Sequence, residues 1–382
     1  MARIQKTLWG THDHRDVFLY TFENRNGMKA TITNFGGILV SLTAPDRDGG
    51  FDDVVLGFDR FEDYQKAHPF FGALVGRYAN RIANAEFALD DLEYKLLASE
   101  GKNQLHGGPE GFDKKVWDSA VVPDEDGDVL VLSYFSRDGE QGFPGNLDVT
   151  VMYELTEDNA LRIDYLARSD ADTIVNLTNH SYFNLAGHGS GNVLAHELQL
   201  MASHFTVVGD GSIPTGEQRH VEGTPFDFRT ATAIGARIGD DDEQLKRTRG
   251  YDHNFVIDEG AFLPDVCAIV REPVSGRVMK VLTDKPGVQL YTGNFLDGTL
   301  AGTVCAAICQ MDACDPGFGQ GGIDSVVVLV TKRAVVLLHR RPTARFAPAG
   351  YSSIKTAPPE TARHALPEAV RMPPHAQFPA IT

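Results

Sequence analysis

Short apolar runs separated by turn-forming residues constrain the fold of this 382-residue chain more than any other feature. The run Leu147–Leu155 alternates apolar and polar residues, so that its apolar side chains share one face of a β-strand. Residues 156–159, Thr-Glu-Asp-Asn, then supply a turn. Similar runs, rich in Val, Ile, Leu, Thr, Tyr and Phe, lie at residues 28–33, 37–43, 129–135, 161–167 and 278–283.

Helical periodicity is confined to two short stretches, at residues 59–64 and 240–246. Many short strands without long helices between them favour a sandwich or barrel over a fold of alternating strands and helices. The sequence therefore predicts an all-β protein.

The composition changes after residue 302. Residues 303–382 carry a formal charge of +3, against −20 for the residues before them, and contain nine of the 19 prolines. Two β-like runs lie within this region, at 326–330 and 334–338. From Arg340 onward Pro, Ala and Arg dominate, which predicts a poorly ordered segment. We therefore expect a β-sandwich domain over residues 1–302 and an atypical, Pro/Ala/Arg-rich tail over 303–382.

The net charge of −17 argues against nucleic acid or an anionic membrane as a partner, because both require clustered positive charge. The first sixteen residues hold no apolar run, and no apolar stretch is long enough to cross a bilayer. Four cysteines do not make a disulfide framework, so we expect a cytoplasmic protein. The spacing of Cys305, Cys309 and Cys314 does not match zinc-binding patterns, and we expect no metal.

Polar residues cluster beside the predicted strands in five segments: GRYANRI at 76–82, LHGG at 105–108, NLTNHSYFNL at 176–185, YDHNF at 251–255 and GVQLY at 287–291. Asn, Asp, Arg, Gln and His read sugar hydroxyls, because each offers donors or acceptors in a fixed arrangement. Aromatic residues in the same segments can cover the apolar face of a pyranose. One such cluster alone is typical of a buried polar residue, but five in one β domain favour a binding site.

These segments, in this order, resemble the aldose 1-epimerases (galactose mutarotases). Asn34-Phe35-Gly36-Gly37 and Gly142-Phe143-Pro144-Gly145 fit the same pattern, and the resemblance covers roughly residues 5–300. It implies a large, twisted antiparallel β-sandwich, the galactose mutarotase-like supersandwich. It also implies an isomerase that interconverts the α and β anomers of free hexoses such as galactose or glucose, with no cofactor. The implied partner is a small-molecule hexose, and the implied assembly a monomer or homodimer.

The resemblance also assigns roles to individual residues. It implies that His180 is the general acid that protonates the ring oxygen and that His106 assists by polarising that side of the sugar. The residues that it implies for substrate binding are Asn80, Arg81, His106, Tyr182, Asp252 and Gln289.

The sequence departs from the family at the general base. The family places a glutamate shortly after the GNFLDGTL stretch, yet no Glu occurs between Leu300 and Gly350. The remaining candidates are Glu360 and Glu368, each in a fragment of the family pattern. Either the tail is an altered or frame-disrupted sequence without a base, or it is genuine and one of these glutamates reaches the cleft.

Three alternatives remain at this point. A non-catalytic hexose-binding protein would keep the sugar ligands and lack the base. A hexose-6-phosphate epimerase would favour a further basic cluster at the rim, and the motif segments show none beyond Arg77 and Arg81. A scaffold domain without a ligand fits the five polar clusters least.

Overall fold

The computed structural model describes residues 2–89, 91–258 and 265–300, together with the backbone of residues 326–330 and 334–340. The first half of the chain contains strands β1 (Arg3–His12), β2 (Arg15–Glu23), β3 (Lys29–Thr33), β4 (Leu39–Pro45), β5 (Phe51–Asp53), β6 (Leu74–Val75), β7 (Arg81–Ile82), β8 (Glu86–Leu89), β9 (Leu92–Lys95), β10 (Gln104–Leu105), β11 (Asp118–Pro123), β12 (Asp128–Ser136), β13 (Leu147–Leu155), β14 (Ala160–Ser169), β15 (Thr178–Asn179) and β16 (Tyr182–Phe183). The second half contains β17 (Glu197–Leu200), β18 (Ala202–Val208), β19 (Pro214–His220), β20 (Thr232–Ala233), β21 (Asp252–Ile257), β22 (Asp265–Arg271), β23 (Arg277–Thr283), β24 (Gly287–Tyr291), β25 (Val326–Val330) and β26 (Ala334–Arg340).

Helices are few and short within these described ranges. The two α-helices are α1 (Phe61–Tyr64) and α2 (Glu243–Thr248), close to the two predicted stretches. Short 3₁₀ turns lie at Ala83–Ala85, Phe112–Lys114, Glu140–Gly142, Asp210–Ser212 and Ile234–Ala236. The predicted all-β class is confirmed.

Three large sheets carry the architecture. The first has five strands in the order β1-β2-β3-β4-β5, and the second has nine in the order β11-β12-β13-β14-β26-β23-β22-β17-β20. The third has six strands in the order β16-β25-β24-β21-β18-β19. Two-stranded ladders β6–β15, β7–β10 and β8–β9 complete the set, and the strands within every sheet pair antiparallel.

The inward faces of these sheets share one hydrophobic core. In β13 the burial alternates as the sequence predicts, with Val149 and Val151 inside and Asp148 exposed. Phe22 of the first sheet, Val151 of the second and Phe255 of the third belong to one cluster of buried side chains. Burial of each such side chain contributes about 1.5–3 kcal/mol, so this shared core holds the sheets around the site.

Helix α2 sets the entry into β21. The Asp242 carboxylate caps the helix by accepting hydrogen bonds from the N–H groups of Gln244 and Leu245, at 2.7 and 3.2 Å. The helix ends at Arg249, whose φ is 59°, followed by Gly250 with φ of 135°. A side chain at Gly250 would lie 2.6 Å from Oδ1 of Asn294, so only glycine fits this close approach. The chain thereby turns sharply into β21.

Two strands from beyond residue 302 complete the sheets, at the two β-like runs that the sequence predicts. Strand β25 pairs with β16 and β24, and β26 pairs with β14 and β23. The rest of the predicted tail lies outside the described residues. So do the two candidate bases, Glu360 and Glu368, and Cys305, Cys309 and Cys314. No helix in the described part of the chain is long and apolar enough to cross a membrane.

Candidate active site

A reciprocal pair of hydrogen bonds joins Asn80 to His106. Strands β7 and β10 pair with Arg81 opposite Leu105, which places the preceding and following residues side by side. The Asn80 N–H donates to Nδ1 of His106 at 3.1 Å, and the His106 N–H donates to the Asn80 carbonyl at 3.1 Å. Because Nδ1 accepts, the neutral ring carries its proton on Nε2. The structure thus brings two of the predicted site residues together and leaves His106 a donor for a ligand.

Both partners of this pair adopt left-handed backbone conformations. The φ angle is 67° at Asn80 and 53° at His106. This conformation costs roughly 1–3 kcal/mol at a residue other than glycine. Gly107, which follows, has φ of 88°, and a Cβ there would lie 1.8 Å from the Gly76 carbonyl oxygen. The first glycine of the LHGG motif is therefore required by close backbone contact.

His180 lies between the short strands β15 and β16. Its N–H donates to the Ala73 carbonyl at 2.8 Å, and its carbonyl accepts from the Gly72 N–H at 3.0 Å. The ring lies 5.0 Å from the ring of His106 and 5.8 Å from that of Phe70, measured between centroids. It is buried, and Nδ1 has no hydrogen-bond partner among the described residues. A buried imidazole nitrogen without a partner is available to a ligand.

The other polar residues of the NLTNHSYFNL motif hold the backbone around His180. The Asn179 side chain donates to the Gly72 carbonyl at 2.8 Å and accepts from the N–H and hydroxyl of Ser181, at 3.1 and 2.5 Å. Asn176 donates from its side chain to the Ala79 carbonyl at 3.2 Å. The motif therefore positions one functional histidine and ties the segment before Asn80 to it.

Arg81 is held between two carboxylates. Its guanidinium donates to both oxygens of Glu100, at 2.7 and 2.9 Å, and Nη1 lies 3.8 Å from Oδ2 of Asp252. A bidentate pair of this kind fixes the plane of the guanidinium. Nη1 also donates to Oδ1 of Asn80 at 3.4 Å, so the position of Arg81 in the cleft lining is set.

Gln289 links the two halves of the site. Its Nε2 donates to Oδ1 of Asp252 at 2.8 Å, and its Oε1 accepts from Nδ2 of Asn80 at 3.4 Å. Asp252 begins β21 and Gln289 lies on the neighbouring β24, where it pairs with Asn254. The chain of contacts runs from His180 through His106, Asn80 and Gln289 to Asp252.

Burial sets the charge state of the titratable groups. It lowers the pKa of His180 to about 4, and it lowers the pKa of His106 well below its usual value, with His180 and Arg81 adding to the effect. Burial also raises the pKa of Asp252, which Arg81 and the Gln289 hydrogen bond oppose. Near neutral pH both imidazoles are uncharged.

Beside these residues lies a cleft of about 250 Å³, a volume that includes space open to solvent. Its lining residues are Asn80, Arg81, Thr206, Val208, Ser212, Pro214, Asp252, Asn254 and Gln289. Four of these are predicted site residues, and the two histidines adjoin them through Asn80. The Tyr182 hydroxyl donates to the Pro69 carbonyl at 2.8 Å, and its ring lies 5.1 Å from that of His180. Its contacts are therefore those of a packing partner of His180.

Sequence reasoning missed Glu100, Phe70 and five residues that line the cleft: Thr206, Val208, Ser212, Pro214 and Asn254. Glu100 gave no signal, because its contact with Arg81 depends on the turn that carries it. Phe70 lies 4.7 Å from the His106 ring, but belongs to no polar motif. Asn254 could have been found, because residues two apart on a strand share a face and Asp252 was already a candidate.

Comparison with known proteins agrees with this geometry. The sequence model of the family described as aldose 1-epimerase matches residues 19–337. The chain belongs to the aldose 1-epimerase family. It is 46% identical to the galactose mutarotase of Bos taurus over 275 residues, which is 72% of this chain and 77% of that protein. It is 44% identical to the aldose 1-epimerase of Escherichia coli over 287 residues, 75% of this chain and 82% of that one.

Solved structures of aldose 1-epimerase relatives share the fold. The galactose 1-epimerase of Lactobacillus acidophilus superposes with a TM-score of 0.76 at 27% identity, covering 89% of this chain and 99% of that one. An aldose epimerase homologue from C. elegans gives 0.71 at 26% identity, covering 88% and 99%. The predicted supersandwich fold is confirmed.

Proposed function

We propose that the protein is an aldose 1-epimerase, an isomerase that interconverts the α and β anomers of free hexoses such as galactose or glucose. The observation that carries the proposal is the linked set His180, His106, Asn80, Gln289 and Asp252, of which the last three line the cleft. Both imidazoles are neutral there. Among the described residues, nothing accepts from Nε2 of His106, and Nδ1 of His180 has no partner. A neutral imidazole in a buried site can polarise an oxygen on which negative charge develops.

The reaction needs an acid and a base on opposite sides of one ring. The base removes the proton from the C1 hydroxyl as the bond between C1 and the ring oxygen breaks, leaving an aldehyde. In its protonated form His180 gives a proton to the departing ring oxygen and returns to the neutral imidazole, and the neutral His106 ring donates a hydrogen bond on the same side. Rotation about C1–C2 and reversal of these steps yields the other anomer. Fixed contacts from Asn80 and Arg81 keep the open chain in place.

The described carboxylates that contact Arg81 are Asp252 and Glu100, and each is committed to that contact. We therefore propose that a glutamate beyond residue 302, Glu360 or Glu368, supplies the base. Substituting each by Gln and measuring kcat identifies it. The variant of the true base loses activity at unchanged sugar affinity, while the other retains wild-type kcat.

Polarimetry tests the function directly. Fresh α-D-galactose relaxes slowly in buffer, and the protein should accelerate this relaxation in proportion to its concentration, an effect lost in His180→Ala. The second candidate function, a non-catalytic hexose-binding protein, is favoured by the lack of any Glu between Leu300 and Gly350. A folded protein that binds galactose but leaves the relaxation rate unchanged would establish that second function.

A further inference from the structure

Two histidines lie side by side at the edge of the six-stranded sheet. His204 on β18 is directly opposite His220 on β19, the last strand of that sheet. The Val221 N–H donates to the Ser203 carbonyl at 3.0 Å, so backbone hydrogen bonding flanks the two histidines and does not join them. Side chains of such non-hydrogen-bonded pairs lie closest together in an antiparallel sheet. We call His204 and His220 the histidine pair.

The histidine pair lies on the outer face of the sheet. Phe205, the residue after His204, packs in the core against the rings of Phe226 and His253. Because successive side chains of a strand point to opposite faces, His204 points away from this core. The His204 side chain is half-buried and that of His220 is exposed. An ion in solution can therefore reach both rings.

The separation of the two rings suits a shared metal ion. Their centroids are 4.8 Å apart, with the planes inclined at 74°. Bonds of about 2.0–2.1 Å from Zn²⁺ to two imidazole nitrogens place the ring centroids about 4.5–5.3 Å apart when the angle at the metal is about 90–110°. The observed separation lies within that interval. Rotation of the rings about their χ2 angles is then enough to direct one nitrogen of each toward a common point.

The ring nitrogens are not held by strong contacts of the protein. The described residues offer the His204 ring no hydrogen-bond partner. Nδ1 of His220 accepts from the Glu222 N–H at 3.2 Å, but this bond is exposed, so that water can take the place of the ring. The described part of the chain contains no group of three or more His, Cys, Asp and Glu side chains placed for a metal ion. An ion at the histidine pair would thus have two protein ligands, with water at its remaining positions.

We infer that the histidine pair is a binding site for a divalent transition-metal ion such as Zn²⁺ or Cu²⁺. Imidazole nitrogen suits these ions, whereas Mg²⁺ and Ca²⁺ prefer oxygen ligands. Cu²⁺ binds more tightly than Zn²⁺, as it generally does at nitrogen sites. The net charge of −17 adds a general attraction for cations. The reaction proposed above uses neither His204 nor His220, so the metal site is independent of it.

Calorimetric titration of the full chain with ZnCl₂ near neutral pH tests the site. His204→Asn and His220→Asn should each weaken Zn²⁺ binding by at least about tenfold, since even the residues behind a metal ligand contribute about 10–100-fold to affinity. Because one ion needs both rings, the double variant should lose no more than either single variant. The matched control is His14→Asn, which removes an exposed histidine from the turn between β1 and β2 and should leave the affinity unchanged.

Urea denaturation gives a second readout. His204 and His220 are sixteen positions apart in the chain, so only the folded protein holds their rings together. An ion that binds the folded state alone stabilises it. Excess ZnCl₂ should therefore raise the urea midpoint of the wild type and of His14→Asn by more than that of either single variant of the pair. Midpoints measured in EDTA show whether each variant is folded without the metal.

Four outcomes overturn the metal site. The wild-type protein binds no Zn²⁺, or His14→Asn weakens binding as much as the variants of the pair do. Losses from the two single variants that add up in the double variant would show two independent surface histidines. A rise in urea midpoint with MgCl₂ equal to that with ZnCl₂ would show a general effect of cations on an acidic protein.

Discussion

The histidines of the cleft and those of the core are equally buried, and burial lowers the pKa of each of them: His106, His180, His196 and His253. His180 differs from the other three in its hydrogen bonds, and His106 in the cleft accepts from the Asn80 N–H. In the core, Nε2 of His196 accepts from the Leu185 N–H at 3.1 Å. His253 accepts from the Asp252 N–H at 3.2 Å and contacts Oε1 of Gln244 at 3.3 Å. In the cleft, Nδ1 of His180 has no described partner.

The two arginines, Arg277 and Arg81, are both paired by the protein and differ in where their partners lie. Arg277 is almost fully buried and donates to the carbonyls of Ala44 and Leu185 and to the Asp52 carboxylate, at 3.1, 2.9 and 2.6 Å. Arg81 contacts side chains of the cleft instead. A shifted pKa or a buried charge therefore does not separate a functional group from a structural one here. Nor does an unsatisfied nitrogen alone separate them, because Nδ1 of His68 also has no partner among the described residues. His180 is distinguished by an unpartnered Nδ1 together with its place beside His106.

Replacing one histidine from each region by Ala gives the largest expected contrast. His180→Ala should lower kcat for galactose by about 10²–10⁴-fold, the usual contribution of a general acid, in a protein that remains folded. His196→Ala should leave kcat unchanged and lower the free energy of unfolding by about 2 kcal/mol, because the Leu185 N–H loses its acceptor. Polarimetry and urea denaturation check both. A His196→Ala protein with lost activity and intact stability would reverse the contrast.

Substituting one arginine from each region by Lys extends the comparison. Arg81→Lys should raise KM about tenfold, because an ammonium group cannot keep the bidentate pair with Glu100 and also reach along the cleft. Arg277→Lys should leave KM unchanged and lower the free energy of unfolding by about 3 kcal/mol. The reason is that a lysine ammonium group cannot reach all three acceptors that Arg277 bonds, two carbonyls and a carboxylate. Equal effects of both changes on KM would contradict the distinction.

The strands could be predicted from the sequence, because an alternating pattern such as that of β13 depends only on neighbouring residues. The opposite orientations of Asp252 and His253 follow from the same alternation. The order of strands in the sheets could not be predicted. Strand β25 lies between β16 and β24, and these three strands come from separate parts of the chain.

The candidate site was predictable only where a motif carries it. His106, His180 and Asp252 each lie in a recognisable segment. The sequence does not distinguish His196 from them, because its hydrogen bond to Leu185 joins residues in a loop of irregular structure. Nor does it show that Glu100 orients Arg81, which requires the turn at Glu100–Asn103 to bring the carboxylate beside β7.

The pH dependence of stability should not distinguish the two regions. The pKa of His180 and of His196 is about 4 in the folded protein and about 6.5 when unfolded, so the unfolded state binds more protons between these values. Stability therefore falls as the pH drops through 6.5 toward 4. Each group should contribute a loss of about 2 kcal/mol between pH 7.5 and 5.

Gln variants of these two histidines check the expectation, because each removes one titrating group. Urea denaturation of His180→Gln and His196→Gln at both pH values should show a loss smaller than the wild-type loss by about 2 kcal/mol in each case. A wild-type loss retained in either variant would mean that this histidine is not held neutral by burial.

The smallest expected effect concerns the orientation of Arg81. Glu100→Gln should raise KM for galactose about threefold to fivefold and leave kcat within about twofold, because a half-exposed ion pair contributes about 1 kcal/mol or less. The control is Glu154→Gln, which removes the partner of Arg162 at 2.5 Å on the strands β13 and β14. That change should leave KM unaltered. If both variants raise KM alike, the effect comes from net charge, and Glu100 does not position the cleft arginine.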